Sequence, residues 1–320
     1  MSKISVVVPI FGVEKYIERC ARSLFEQTLR DIEYIFVNDC TQDDSIHILM
    51  ETLEKYPNRK SQVRIINHTQ NMGAAQSRRD GIYAASGRYV IQCDSDDWVD
   101  KKMYEDMLIK AEAHDADLVI CQKIYMDNGD CQEVITDDIS LNKDQMLSMI
   151  IRGKTSVSLC NRLVKKDIFH NKRFIFPSSH MKEDTVISAQ LTYLSKTTVV
   201  VEGPYYHYFN NTASICQLNT EAACVRRWSD SKSNVDTLIS FLKQEGILRQ
   251  YNHALNILQF QVKGFLLPQL KKNLAHWSQW YETYPHLNFA IFLMRIPFNL
   301  KIIHLLTLLR LYPLISRLKS

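Results

Sequence analysis

The sequence predicts an α/β fold, a doubly wound, mostly parallel sheet followed by a helical C-terminal extension. Two observations carry this. Short apolar runs alternate with helical periods over residues 4–93 in β-α-β-α-β-α-β order. The runs are continuous and β-branched rather than alternating, as expected of strands buried on both faces. Ligands of such sheets bind beyond the carboxyl ends of the strands, and Pro9, Asp39 and the cluster Asp94-Ser95-Asp96-Asp97 all stand at such ends.

Ile4 to Pro9 reads as the first strand. Val13 to Leu29 follows with helical spacing, with Ile17, Ala21, Leu24 and Phe25 on one face. Ile32 to Val37 is a second strand. Asp44 or Ser45 is expected to cap the next helix, whose apolar residues are Ile46, Leu49, Met50 and Leu53. Val63 to Ile66, Gly73 to Ala85 and Tyr89 to Cys93 continue as strand, helix and strand. A helix is expected from Asp100, a strand over Asp117 to Cys121, and an exposed hairpin or loop over 125–140. Residues 141–153 read as helix and 197–202 as strand. Beyond about residue 217 the pattern is helical. Residues 1–216 thus form one expected domain, with halves 1–100 and 101–216, and residues 217–320 a helical region.

At 320 residues and 46% hydrophobic content, the chain suffices for one large α/β core and a smaller appendage. The modest net charge of +4, without a basic stripe interleaved with aromatics, argues against a nucleic-acid partner. Eight cysteines include no C-x-x-C pair, so no zinc site is expected. The N-terminus reads as a strand rather than a signal peptide, and a reducing cytoplasm is the simpler expectation.

Three carboxylates at one strand end repel and raise one another's pKa. A hard divalent cation such as Mg²⁺ or Mn²⁺ relieves that, and one held by so few protein oxygens usually shares its shell with phosphates. Asp94 and Asp96, with Asp97 as a further candidate, therefore suggest a nucleotide-diphosphate site. A solvated acidic turn before a helix capped by Asp100 is the plainer reading. The Asp39 carboxylate can accept the N3–H of a uracil or thymine ring, or serve only the turn. Arg78, early in a helix, can reach a diphosphate or lie on the surface. Glu183-Asp184 precedes a helical apolar run, where carboxylates cap helices and can also act as general bases. His207, among aromatics, is a packed histidine or a metal ligand.

Together these segments resemble a family-2 glycosyltransferase with the GT-A fold, over residues 3–215. "SVVVPIFGVEKYIERCARSLFEQT" is similar to the family's opening strand and helix, and "IEYIFVNDCTQDDS" to its V-D-D-G-S-x-D-x-S turn. "NMGAAQSRRDGIYAASGRYVIQCDSDDWV" is similar to its N-x-G…A-R-N…D-S-D-D segment. "RFIFPSSHMKEDTVISAQL" is similar to its R-F…E-D segment, and "GPYYHYFNNTASI" to the segment that closes over the donor. Departures are Gly12 and Arg79 where Asn is usual, Asn38 for the first Asp of the turn, Cys40 for the Gly after Asp39, and Phe209 where an Arg often contacts phosphate.

The resemblance implies that Asp39 contacts the nucleotide base and Pro9 lines the same site. It implies that Asp94 and Asp96 form the D-x-D pair, with Asp96 the direct metal ligand, that Arg78 lies near the nucleotide, and that Asp184 is the catalytic base. The implied reaction is inverting transfer of a sugar from a nucleotide-diphosphate sugar, UDP-sugar favoured, to a hydroxyl of a saccharide or lipid-linked acceptor in surface polysaccharide synthesis. A nucleotidyltransferase would need a Gly-rich loop near residues 8–20. A non-catalytic nucleotide-sugar binding module would retain donor binding with Asp184 dispensable.

The C-terminal segment carries a separate signal. Glu282 is the last acidic residue. Arg295, Lys301, Arg310, Arg317 and Lys319 then follow among abundant Leu, Ile and Phe, and Pro297 and Pro313 divide the stretch. No part reaches the roughly 18 uninterrupted apolar residues of a spanning helix. Basic residues among apolar ones suit peripheral attachment to an anionic membrane surface, at the inner face of the cell membrane. Packing on protein, in a homo-oligomer for instance, is the other expectation.

Overall fold

Four of the apolar runs pair side by side with all strands pointing the same way. These are β1 (Ile4–Ile10), β2 (Ile32–Asn38), β3 (Val63–Asn67) and β4 (Tyr89–Gln92), in spatial order β3-β2-β1-β4. The computed structural model describes residues 2–127, 132–136, 142–209 and 220–316. Successive side chains enter opposite cores. Val6, Val8, Tyr34 and Phe36 join one cluster, and Val7, Ile35 and Val37 the other. Along β1, β2 and β4 both faces largely exclude water, which is why those runs are continuously apolar. Helices α1 (Ile17–Phe25) and α2 (Ser45–Glu54) cover the first face through Leu24 and Leu49, and α3 (Ala74–Ala84) covers the second through Ile82. Gly81 lets α3 approach closely, since a Cβ there would collide with Val7.

The second half of the sheet is mixed. It comprises β5 (Trp98–Val99), β6 (Leu118–Asp127), β7 (Gln132–Thr136), β8 (Arg162–Lys165) and β9 (Thr198–Phe209). The path continues β4-β8-β6-β9-β5. Pairing is antiparallel at β4–β8, β6–β8 and β5–β9, and parallel at β6–β9. β7 pairs antiparallel with β6, so the hairpin expected over 125–140 is present, although 128–131 and 137–141 lie outside the described residues. α4 (Met103–Ala113), α5 (Lys143–Arg152) and α6 (Glu183–Leu194) complete this half. α5 shows a full capping box, with Asn142 and Gln145 exchanging bonds, and ends on Gly153 in the left-handed region.

Two helix starts and one capping side chain differ from the sequence expectation, each because a side-chain bond outcompetes local propensity. Helix α1 starts at Ile17, not Val13. The N–H groups of Gly12, Val13 and Glu14 are drawn off by Thr41 Oγ1, Ser45 Oγ and Asp43 Oδ2 (2.9, 3.1 and 3.0 Å). The side chain serving the start of α2 is Asp43, which accepts from the Ser45 N–H at 3.2 Å, whereas Asp44 makes no capping bond. Helix α4 starts at Met103, and the Asp100 carboxylate binds His207 instead of capping.

By its contacts the chain divides into two compact units, Met1–Asn211 and Thr212–Ser320. The expected boundary at 216 lies among residues 210–219, outside the described residues. The second unit is helical: α7 (Glu221–Gln244), α8 (Asn252–Gly264), α9 (Leu267–Lys272), α10 (Trp277–Glu282), α11 (Leu287–Ala290), α12 (Phe298–Leu308) and α13 (Tyr312–Ser316). Its core holds a buried lysine. Lys263 Nζ donates to the carbonyls of Trp280 and Thr283 and to Asn288 Oδ1 (2.5, 2.6 and 3.1 Å). Burial pulls its pKa down to about 7. The ammonium satisfies carbonyls at the C-terminal end of α10, where a cation suits the helix dipole. The six described cysteines are free thiols.

Cys40, which replaces a family glycine, has φ +59°. A left-handed non-glycine residue costs about 1–2 kcal/mol, and a β-branched one more. Cys40→Val should therefore lower stability by at least about 1 kcal/mol in urea melts, while Cys40→Gly should be neutral or stabilising. Equal melts for the two would contradict a strained turn.

Candidate functional site

The acidic cluster forms a tight turn directly after β4. The Cys93 N–H bonds to the Val7 carbonyl (3.0 Å) and carries the sheet to its last residue. The Asp97 N–H then closes the turn on the Asp94 carbonyl (3.1 Å). The turn is pinned from β9: Tyr206 Oη accepts from the Asp94 N–H (3.1 Å) and donates to Asp97 Oδ2 (2.6 Å). Phe209 N–H donates to Asp97 Oδ1 (2.7 Å). Asp97 is 1% exposed with both oxygens engaged. Burial, then the charges of Asp94 and Asp96, push its carboxyl well above the usual range, against these two hydrogen bonds. Asp97 thus anchors the turn to β9. Asp94 and Asp96 stay partly accessible.

Arg78 connects this turn to the second acidic motif. Its guanidinium donates to Asp94 Oδ1 (2.7 Å) through one nitrogen and to Glu183 Oε1 through another. Burial works against its charge, but Asp94 and Asp184 outweigh that and hold it protonated more firmly than an ordinary arginine. Glu183, 4% exposed, is the first residue of α6, and its Oε2 is buried with no hydrogen-bond partner among the described residues. Asp184 follows. Burial raises its carboxyl above the ordinary range. Arg78 opposes this, Asp94 reinforces it, and Arg162 also opposes it. Arg162 is itself buried, held by Asn161 Oδ1 (2.7 Å) and the carbonyls of Ser156 (2.9 Å) and Ser158. Lys182, just before the pair, has φ +67°, which turns the chain sharply into α6.

Asp39, at the end of β2, is buried and organises the loop before α3. Its Oδ1 accepts from the Met72 N–H (2.7 Å) and contacts His68 Nδ1 (2.8 Å), and its Oδ2 accepts from the Gly73 N–H (2.6 Å). His68 Nε2 meets Asp80 Oδ2 (3.1 Å). Gly73 has φ +86°, and a Cβ there would strike the His180 ring, so loop 176–182 lies against the start of α3. Pro9 lies next to last in β1, paired with Val37.

His207 sits between the rings of Trp98 and Tyr125, stacked at 5.0 and 4.6 Å, with Nε2 on Asp100 Oδ1 (3.0 Å). These are the contacts of a histidine packed among aromatics. Phe209 presents its ring to Tyr16 and to Arg19, whose guanidinium lies 4.9 Å from the Phe209 centroid and 3.7 Å from that of Trp98. Arg19 also donates to the Asp96 carbonyl (3.0 Å). A guanidinium therefore reaches the acidic turn from α1, although position 209 lacks one. Arg19, Arg162, His68 and His180 were not singled out from sequence. Arg19 and His180 lie inside the quoted segments, but no position in those patterns marks them, and Arg162 and His68 fall outside them.

Among the described residues no three His, Cys, Asp or Glu side chains gather as a self-sufficient metal site. Asp94 and Asp96 are nevertheless hard oxygen donors on one turn. They fit Mg²⁺ or Mn²⁺ completed by phosphate oxygens, not a softer metal.

A Rossmann-like half-sheet, an acidic turn at its carboxyl edge and a second acidic pair tied to that turn define a GT-A-type glycosyltransferase. The chain belongs to glycosyl transferase family 2, whose model matches residues 5–171. It is 28% identical over 264 residues to the putative glycosyltransferase EpsH of Bacillus subtilis (strain 168), covering 79% of this chain and 73% of that one. It is 28% identical over 212 residues to the minor teichoic acid biosynthesis protein GgaB of the same organism, covering 64% of this chain and 22% of that one. In fold it is similar to S. aureus TarS 1–349, solved in complex with UDP-GlcNAc. The TM-score is 0.67 at 18% identity, covering 98% of this chain and 90% of that one.

Asp97→Asn should keep the fold, because an amide can still accept from Phe209 N–H. Asp97→Leu orphans the Phe209 N–H and Tyr206 Oη, and should cost about 1–3 kcal/mol for each, read in denaturant melts. Equal stability of the Leu and Asn variants would remove the anchoring role.

Proposed function

We propose that the protein is a metal-dependent inverting glycosyltransferase. It moves a sugar from a nucleotide-diphosphate sugar, UDP-sugar favoured, to a hydroxyl of a saccharide or lipid-linked acceptor in surface polysaccharide synthesis, as a peripheral protein at the inner face of the membrane. The observation that carries this is the Arg78 bridge from Asp94 to Glu183, which joins two motifs about ninety residues apart into one site. The name of GgaB and the nucleotide sugar held by TarS support the substrate classes.

Asp39, at the end of β2, is the proposed acceptor for the base N3–H. Pro9 is the proposed apolar wall beside it. Asp94 and Asp96 would hold Mg²⁺ or Mn²⁺. Such an ion supplies positive charge to the departing diphosphate. Arg78 and Arg19 bring fixed positive charge to the same turn. Asp184 takes the proton from the acceptor hydroxyl as it attacks the anomeric carbon from the face opposite the leaving diphosphate. The C–O bond to the diphosphate breaks as the new one forms. No carboxylate need attack the sugar, so configuration inverts and no covalent intermediate arises.

Asp184 must be ionised to act. Its raised pKa therefore puts the acid limb of kcat/KM above the pH at which an ordinary aspartate would place it, and turnover falls as pH drops through that value. Asp184→Asn should bind donor nearly as well and turn over about 10²-fold or more slowly, without that limb. Unaltered turnover in this variant would exclude Asp184 as the base.

Asp96→Ala should abolish transfer and weaken UDP-sugar binding only when Mn²⁺ is present. Calorimetry with Mn²⁺ and with EDTA reads this directly. Identical metal dependence in wild type and variant would refute the ligand assignment.

A further inference from the structure

Helix α12 is apolar on its outer face as well as on its inner one. Inward, Leu308 packs against the cluster of Leu266, Leu270 and Trp280; its fully buried side chains are His304, 1% exposed, and Thr307, whose hydroxyl lies on the Ile303 carbonyl (2.7 Å). His304 Nε2 meets the Asn288 carbonyl (3.1 Å), and its ring packs against Trp280 and Phe292. The outward stripe is apolar. Phe298, Ile302, Leu305 and Leu309 follow at i, i+4, i+7 and i+11, with Phe298 76% and Leu309 57% exposed. Phe289 and Leu293, just before the helix, are also exposed, Leu293 by 90%. Of fifteen exposed large hydrophobic residues among those described, eight lie between 289 and 314. A water-facing helix face is normally polar, and a concentrated apolar patch marks an interaction surface.

We infer that this face, centred on the α12 stripe, seats in the interfacial zone of an anionic lipid bilayer. Charge selects the occupant. No Asp or Glu follows Glu282, while five Lys or Arg do. Arg295 is exposed beside the stripe, and Arg310 is exposed with its guanidinium 4.0 Å from the Trp277 ring centroid. A second copy docked by two-fold symmetry would set this cationic segment against itself, with no acid on the segment to pair it. Anionic headgroups supply that partner, and the acyl boundary takes up the leucines. The elements are short, and no described helix is long and apolar enough to cross a membrane, so the face lies in the surface plane. The inference stands on the second unit alone and is independent of the transfer reaction.

The test is flotation of the full chain with phosphatidylcholine vesicles, with and without phosphatidylglycerol. The chain should float with the anionic vesicles, weakly with the neutral ones, and less as salt is raised. The triple variant Ile302→Ser, Leu305→Ser, Leu309→Ser should reduce flotation at least about tenfold. Arg295→Ala should reduce it about fivefold on anionic vesicles alone. Leu293→Glu, at the most exposed of the fifteen positions, gives the same reading should the triple variant melt early. Absence of flotation with anionic vesicles overturns the inference, as does flotation of Leu293→Glu and Arg295→Ala at the wild-type level. A wild-type dimer in light scattering that the triple variant converts to monomer, with neither captured by vesicles, would assign the face to a second copy.

Discussion

The first unit depends on one cation placed among carboxylates. Arg78 is largely buried, and burying a guanidinium without partners is prohibitive. Asp94 and Glu183 remove that penalty, and Arg78 in turn makes their proximity tolerable. The three side chains come from α3, the turn after β4 and the start of α6. Removing Arg78 leaves Asp94 and Glu183 without their shared cation.

A second constraint acts through Asp97. It is the one acid of the D-S-D-D turn withdrawn from the site, and its two oxygens bind the end of β9. That withdrawal separates the turn's duties. Asp97 and Tyr206 fix its geometry, and Asp94 and Asp96 stay partly accessible. It also explains how a carboxylate sits beside two others at a strand end, since its own ionisation is disfavoured there. Arg19 adds a brace from the opposite side through the Asp96 carbonyl and the Trp98 ring.

The two units obey different surface logic. In the first, apolar side chains fill both faces of a sheet and polar ones gather at its carboxyl edge. In the second, a buried lysine and a buried histidine sit within an apolar core that includes Leu238, Leu258 and Leu266, while further leucines face outward. Lys263 is tolerable inside because three oxygens satisfy its donors. The outward leucines form the face inferred above to seat in a lipid surface, which would take them out of water.

The strands of the parallel half were legible in the sequence because burial on both faces writes an unbroken apolar run, as in Val6-Val7-Val8 and Ile35-Phe36-Val37. The acidic turn and the Glu183-Asp184 pair were legible because carboxylates are rare at the ends of buried elements, and the order of the motifs made the family readable. Helix ends were not, because Thr41, Asp43 and Ser45 capture the N–H groups of residues 12–14 from about thirty residues away. The stacking of His207 between Trp98 and Tyr125 left no mark in the sequence either. The mixed half of the sheet was hidden too, since a strand's direction leaves no mark on its composition. Above all, the sequence by itself named Arg78, Asp94 and Glu183 but not that one guanidinium joins them. That was decided by the sheet, which brings α3, the β4 turn and α6 to the same edge, where burial makes each charge require the others.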